Sequence, residues 1–296
     1  MLPRKLTFIA LGLIFFPLLS PAHGLRAPII TDSNAVPAKG DIPTPSKYLP
    51  AIRAYQSEVV QKLNTTQRYV QHIAEAAQSG DLQTAQHNYI LAHQHYEQVR
   101  TIIQLFANAD ETINSRADYY LDGANDHAFV GFHRLEYDLF SRKNLTDAHN
   151  QAIALHYKLA DLQKRVSNDE LEIAKIIQSA ADFPEMILKT KLMGLENQYS
   201  HSDLADIEAN IQGSALIIRY LRPFIPATQY SRINQNYQQI FNILKKYQLS
   251  QGQYQSFELL SQSDHDQLYS LVSELAQLLA ELRSQLGVQV YYKYKH

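Results

Sequence analysis

The chain has 296 residues, 27 basic and 29 acidic side chains, a formal net charge of −2 and no cysteine. It therefore has no disulfide, thiolate metal site, cysteine nucleophile or lipidated cysteine, and its mild acidity argues against a nucleic-acid partner, which calls for a basic face.

Residues 1–24 read as a secretory signal peptide. Arg4 and Lys5 give a positive start, Leu6–Leu19 is mostly apolar, and Ala22-His23-Gly24 offers small residues at a cleavage site. The apolar run of fourteen residues is shorter than the roughly 20 a membrane span needs. Its removal takes two basic residues and no acidic ones, so the net charge becomes 25 − 29 = −4. The expected location is the periplasm, with no membrane anchor in the mature form. Residues 25–46 hold four prolines and little periodicity, as in an extended leader.

From 47 to 287 the pattern is helical. Val59, Leu63, Val70, Ile73 and Ala77 mark a long helix before Gly80. Asp81 can cap the next, whose apolar residues Leu82, Ala85, Tyr89, Ala92, Tyr96, Val99, Ile103 and Phe106 step alternately by three and four. A helix is predicted over about 126–141, and Pro184 suits the first turn of another after Asp182, ended by Gly194. Three more stripes follow: Leu204 to Leu221, Ile233 to Tyr247, and Leu268 to Leu282, the last opened by a Ser263/Asp266 capping box. Residues 288–296 form a tail, with short strand-like alternation at Val288–Tyr292. Stripes of this kind bury against one another, so the fold class is all-α: a helix bundle of about eight helices in two packed sub-bundles.

The helix over 126–141 carries the most informative chemistry. Phe129, His133, Glu136 and Phe140 form one row beside Ala128, Phe132, Leu135 and Leu139. Histidine and glutamate thus interrupt an apolar face, on the same side of the helix. A buried carboxylate needs a cation or donor. A metal ion satisfies both residues; so does a His133–Glu136 hydrogen bond or a nearby arginine. His93, Glu97, Arg100 and Gln104 flank the stripe of the earlier helix. There Glu97 either reaches the same metal or pairs with Arg100. Tyr199-Ser200-His201-Ser202-Asp203, with Asp206 a turn later, either caps a helix or adds polar groups to a cleft.

Three segments carry a resemblance. HYEQVRTIIQLFANADETINSRADYY, FVGFHRLEYDLF and ENQYSHSDLADIEANIQG, in that order, resemble the imelysin-like domain of the EfeO/EfeM periplasmic iron-uptake proteins. The resemblance spans about Lys47 to Gly287. It implies a helical bundle with a cleft for a metal ion, iron above all, with zinc or copper as alternatives. Its implied metal ligands are His133, Glu136 and Glu97, with Arg100, Asn114, Arg116, Glu196, His201 and Asp203 as further cleft residues. It implies an inner-membrane iron permease and a haem peroxidase as partners. Longer members carry an N-terminal cupredoxin-like domain; the short leader here resembles the EfeM form. Two positions depart from the family pattern: Arg100 stands where a second glutamate is usual, and Asn114 where an aspartate is usual. An arginine there either repels a cation or takes its place between carboxylates.

Two other function classes are open to the residues. Imelysin-like proteins have been classed as metallopeptidases on the His-x-x-Glu motif, although the His-Glu-x-x-His arrangement of zinc proteases is absent. Arg100, Arg116 and Arg134 could instead hold an anionic sugar or metal chelate.

Overall fold

The computed structural model describes residues 44–106 and 108–286. The predicted signal peptide, most of the leader and the tail with its strand-like alternation lie outside them. Among the described residues there are nine α-helices: α1 Leu49–Ser79, α2 Leu82–Ile103, α3 Ala109–Asn114, α4 Phe132–Glu136, α5 Leu145–Asn168, α6 Ile173–Lys189, α7 Asp203–Leu221, α8 Ala227–Leu244 and α9 Gln262–Gln285. A small antiparallel hairpin, β1 Gln248–Ser250 and β2 Gln253–Tyr254, follows α8. No described helix is long and apolar enough to cross a membrane.

The stripes select the partners. α1 packs against α2 and α5, while α9 packs against α6 and α8. α7 joins the two groups by lying against α2 and α8. Val59, Leu63, Val70 and Ile73 of α1 and Leu268, Leu275, Leu278 and Leu282 of α9 are buried as their spacing requires. Asp81 caps α2 by accepting a hydrogen bond from Thr84 N at 3.0 Å.

Three local expectations are corrected. Pro184 lies inside α6, not in the first turn of a new helix. The apolar face formed by Ile176, Ile177, Ala180, Phe183 and Ile187 buries as one surface. That burial offsets the hydrogen bond that proline removes. The cap of α9 is Ser261, which accepts from Asp264 N at 3.2 Å, rather than the Ser263/Asp266 pair. The helix expected over 126–141 begins only at Phe132, because Gly131 has φ +87° and ψ −156°, outside the helical region. It continues as a π-helical turn over Tyr137–Ser141.

Two glycines set how closely the elements approach. A Cβ on Gly213 of α7 would lie 2.1 Å from Gln98 O of α2, and one on Gly131 would lie 2.2 Å from Ile113 O. The first contact brings the polar faces of α2 and α7 together. The second seats the start of α4 on the end of α3.

Candidate metal centre

His93 and Glu97 stand one turn apart on α2, and Asp206 and Asn210 one turn apart on α7; all four are buried. Because Gly213 lets these helices touch, the four residues meet. Asn210 Nδ2 donates to Glu97 Oε2 at 2.6 Å and to Glu97 O at 3.0 Å. One ligand atom from each of His93, Glu97 and Asp206 lies within 4.8 Å of the others. His93 Nδ1 is 2.9 Å from Asp206 Oδ2, close enough for charge attraction though poorly aligned as a hydrogen bond. Its Nε2 lies 2.9 Å from Asn114 Oδ1 and 3.3 Å from Glu97 Oε1. Asn114 Nδ2 in turn donates to Glu97 Oε1 at 2.9 Å.

α4 contributes the second half. His133 Nδ1 lies 2.9 Å from Glu136 Oε2. The other oxygen, Glu136 Oε1, accepts from Tyr199 N at 3.1 Å, Ser200 N at 2.8 Å and Ser200 Oγ at 2.8 Å. Glu136 thus fixes the imidazole at one end and the 199–200 turn at the other. His133 Nε2 is left buried without a hydrogen-bond partner, 4.0 Å from Glu196 Oε1. A histidine held through Nδ1 by a carboxylate, with Nε2 directed inward, is the usual arrangement of a metal-binding imidazole.

An arginine and a lysine share this space. Arg100 Nη1 pairs with Glu97 Oε1 at 3.2 Å and with Glu196 Oε1, while its Nε holds both oxygens of Asp110 at 3.0 and 3.1 Å. The arginine therefore pairs with Glu97, Glu196 and Asp110. Lys191, in the short 3₁₀ turn after α6, has no exposed surface. Its Nζ lies 3.4 Å from Glu97 Oε2 and 3.5 Å from both Glu196 Oε2 and Asp206 Oδ2.

Charges in this enclosure shift one another. Burial opposes charge on His93, but Asp206 and then Glu97 outweigh it and raise the imidazole to about 9. Burial likewise opposes ionisation of Asp206, yet His93 and Lys191 bring it down to about 2. Glu196 is held well below the carboxylate range by Arg100 and Lys191, against the effect of burial. Asp203 behaves in the opposite way. Burial, only partly countered by Lys191, pushes it up to about 7.

These shifts predict an acidic stability optimum. The contribution of Asp203 is full below 3.8 and disappears as pH rises through about 7. That of His93 is full below 6.5 and disappears as pH rises through about 9. Asp206 contributes above 3.8 and loses its effect as pH falls through about 2. Urea unfolding should therefore show greatest stability near pH 4–5 and a decline toward pH 9. An Asp203→Asn variant should flatten the lower part of that decline, and an unchanged profile would refute the assignment to Asp203.

Of the residues picked out in the sequence, the structure brings His133, Glu136, Glu97, Arg100, Asn114 and Glu196 into one buried cluster. Asp203, also buried, accepts from Asn197 N at 3.3 Å at the cluster's edge. Arg116 is turned to Asp118, at 2.9 and 3.0 Å. His201 is half exposed, with φ +54° and Nδ1 3.8 Å from Glu258. Arg134 is paired with Asp138 at 2.9 Å. Lys191, Asn197 and Asn210 complete the cluster, without a metal-ligand or charge-pair spacing that marks them in the sequence. Asp203, Asp206 and Asn210 do form a polar row stepping by three and four beside the apolar row of α7, which is a legible signal. Lys191 stands outside any periodic pattern.

Comparison with known proteins agrees with this architecture. The imelysin family model, designated Peptidase_M75, matches residues 49–286. The chain is 33% identical over 241 residues to the iron uptake system component EfeO of Escherichia coli K12 and equally to that of Shigella flexneri, a match covering 80% of this chain. It spans 64% of the length of these relatives. An imelysin-like protein from Psychrobacter arcticum 273-4 shares the fold, with a TM-score of 0.60 at 13% identity over 85% of this chain and 100% of that one. With its bundle, its Gly-Phe-His-x-x-Glu segment at 131–136 and a family match over nearly all described residues, the chain belongs to the imelysin family.

Proposed function

We propose that this chain is a periplasmic metal-binding component of an iron-uptake system and that its cargo ion enters the buried cluster around His133. The observation that carries the reading is His133 Nε2, buried, unpartnered and oriented by Glu136 toward Glu196. The relatives named as iron uptake components support it. One imidazole with several carboxylates is a donor set that suits iron, with zinc, manganese or copper as competitors. Among the ligands inferred from the family, His133 and Glu97 keep that role in this proposal, and Glu196 joins them. Glu136 acts chiefly by holding His133, since its Oε2 lies 2.9 Å from His133 Nδ1 and so orients the ring.

The reading includes export by the segment 1–24, a leader over 25–46, the helical domain over 47–287, and delivery to a permease in the inner membrane alongside a haem peroxidase. The anionic-solute alternative has less support. Arg100, Arg116 and Arg134 are each paired with carboxylates of the chain itself.

The test is metal content of the mature, untagged protein after anaerobic incubation with ferrous iron. Stoichiometric iron is expected in the wild type, with about a 10–100-fold loss of affinity or more in His133→Ala. Equal iron in the two proteins would remove His133 from the site. Absence of iron, zinc, manganese and copper from the wild type would overturn the proposal.

A further inference from the structure

We infer that the Lys191 ammonium occupies the cation position of the buried cluster, so that a metal ion binds by displacing Lys191 from its three carboxylates. This rests on the metal-binding reading and adds a residue that governs affinity within it.

Fully buried lysines are rare, and this one is held in an unusual way. Glu97, Glu196 and Asp206 come from α2, the loop after α6, and α7, yet each directs one oxygen to within 3.4–3.5 Å of Nζ. Charge-assisted hydrogen bonds run to about 2.7–2.9 Å. The three distances are longer than that and nearly equal. The ammonium therefore sits among the carboxylates without committing to one, as a cation does in a cage.

The cage does not depend on Lys191 for its shape. Glu97 Oε2 also accepts from Asn210 at 2.6 Å, Glu196 Oε2 from Thr190 Oγ1 at 2.8 Å, and Asp206 Oδ2 from Asn197 Nδ2. Neutral donors thus hold all three oxygens in place. A divalent ion bonds carboxylate oxygen at about 2.0–2.2 Å, so it cannot share the centre with an ammonium group.

Arg100 and Lys191 differ in how they can leave. Arg100 is anchored through Nε to Asp110, outside the cage. Lys191 has no such second anchor. It lies on a three-residue turn between Thr190 and Gly194, the latter at φ +64°, in which Leu192 is buried and Met193 is exposed. Its flexible four-carbon stem can withdraw the ammonium by side-chain rotation, with the turn itself left in place.

The experiment compares the wild type with Lys191→Met, which keeps length and removes charge. Both are titrated with ferrous iron and with zinc, and folding is checked by thermal unfolding. The expected result is binding about tenfold tighter or more in Lys191→Met, because a competing charge has gone. Binding by Lys191→Met but not by the wild type would overturn displacement, because the ammonium would then hold the position against metal, and would remove the cargo role of the wild-type protein. Equal or weaker binding by a folded Lys191→Met overturns the inference and leaves the metal-binding reading standing. Lack of binding by both overturns the two together. Should Lys191→Met not fold, reductive methylation of the wild type decides. Lys191 should be protected without metal and modified once iron or zinc is bound; unchanged protection would overturn the inference.

Discussion

Replacing Arg100 by methionine is expected to destabilise the metal-free protein by about 3–5 kcal/mol, the range for removing one partner from a buried ion-pair network. The guanidinium touches Glu97, Glu196 and Asp110, and Asp110 also accepts from the Tyr96 hydroxyl at 2.7 Å. Its side chain is only 10% exposed, so solvent screens little of the loss. Methionine fills similar space but leaves Asp110 without its guanidinium partner and Glu97 and Glu196 with Lys191 in place of two cations. Lysine should rescue only part of the effect, since a point charge cannot serve Nε and Nη contacts at once. Urea unfolding of wild type, Arg100→Met and Arg100→Lys measures this directly. A loss below about 1 kcal/mol, the size of an exposed pair, would mean the network contributes little. Added metal should recover more stability in Arg100→Met than in the wild type, because a bound cation supplies what the guanidinium did.

Gly131→Ala should cost more than about 3 kcal/mol, through two separate causes. Its φ of +87° with ψ of −156° is a conformation essentially confined to glycine. In addition, the new Cβ would lie 2.2 Å from Ile113 O and 2.6 Å from Ile113 C, both backbone atoms that cannot rotate aside. Relief requires α3 and α4 to separate. Asn114 follows Ile113 and bridges His93 and Glu97, and His133 lies two residues after Gly131. The substitution should therefore also weaken metal binding without altering a ligand. Gly80→Ala is the control. Gly80 has φ +85° but nothing within 4 Å of a Cβ, so only the conformational cost of about 1 kcal/mol applies. Similar unfolding free energies for the two variants would show that the contact with Ile113 is readily relieved.

The helices themselves were legible because burial is periodic. A stripe at three- and four-residue steps reports which face of α2, α7, α8 or α9 leaves water, and no distant residue is needed to read it. The same logic put His133 and Glu136 on one side of their helix, and their 2.9 Å contact follows from that spacing. Boundaries that depend on packing were less legible. Pro184 is accommodated inside α6 because the face around it is buried, and Gly131 delays α4 because it meets α3.

Charge pairing across the cluster was decided by tertiary structure. From local spacing Arg100 could be matched to Glu97, three residues away, but not to Asp110 or Glu196. Lys191 has no periodic neighbour to mark it, and its three carboxylates are contributed by segments 94, 5 and 15 residues distant in number (191 − 97, 196 − 191 and 206 − 191). Periodicity states that a side chain is buried. Which charges it meets there depends on the crossing of α2 with α7 at Gly213 and the seating of α4 on α3 at Gly131, contacts made only when the whole bundle closes.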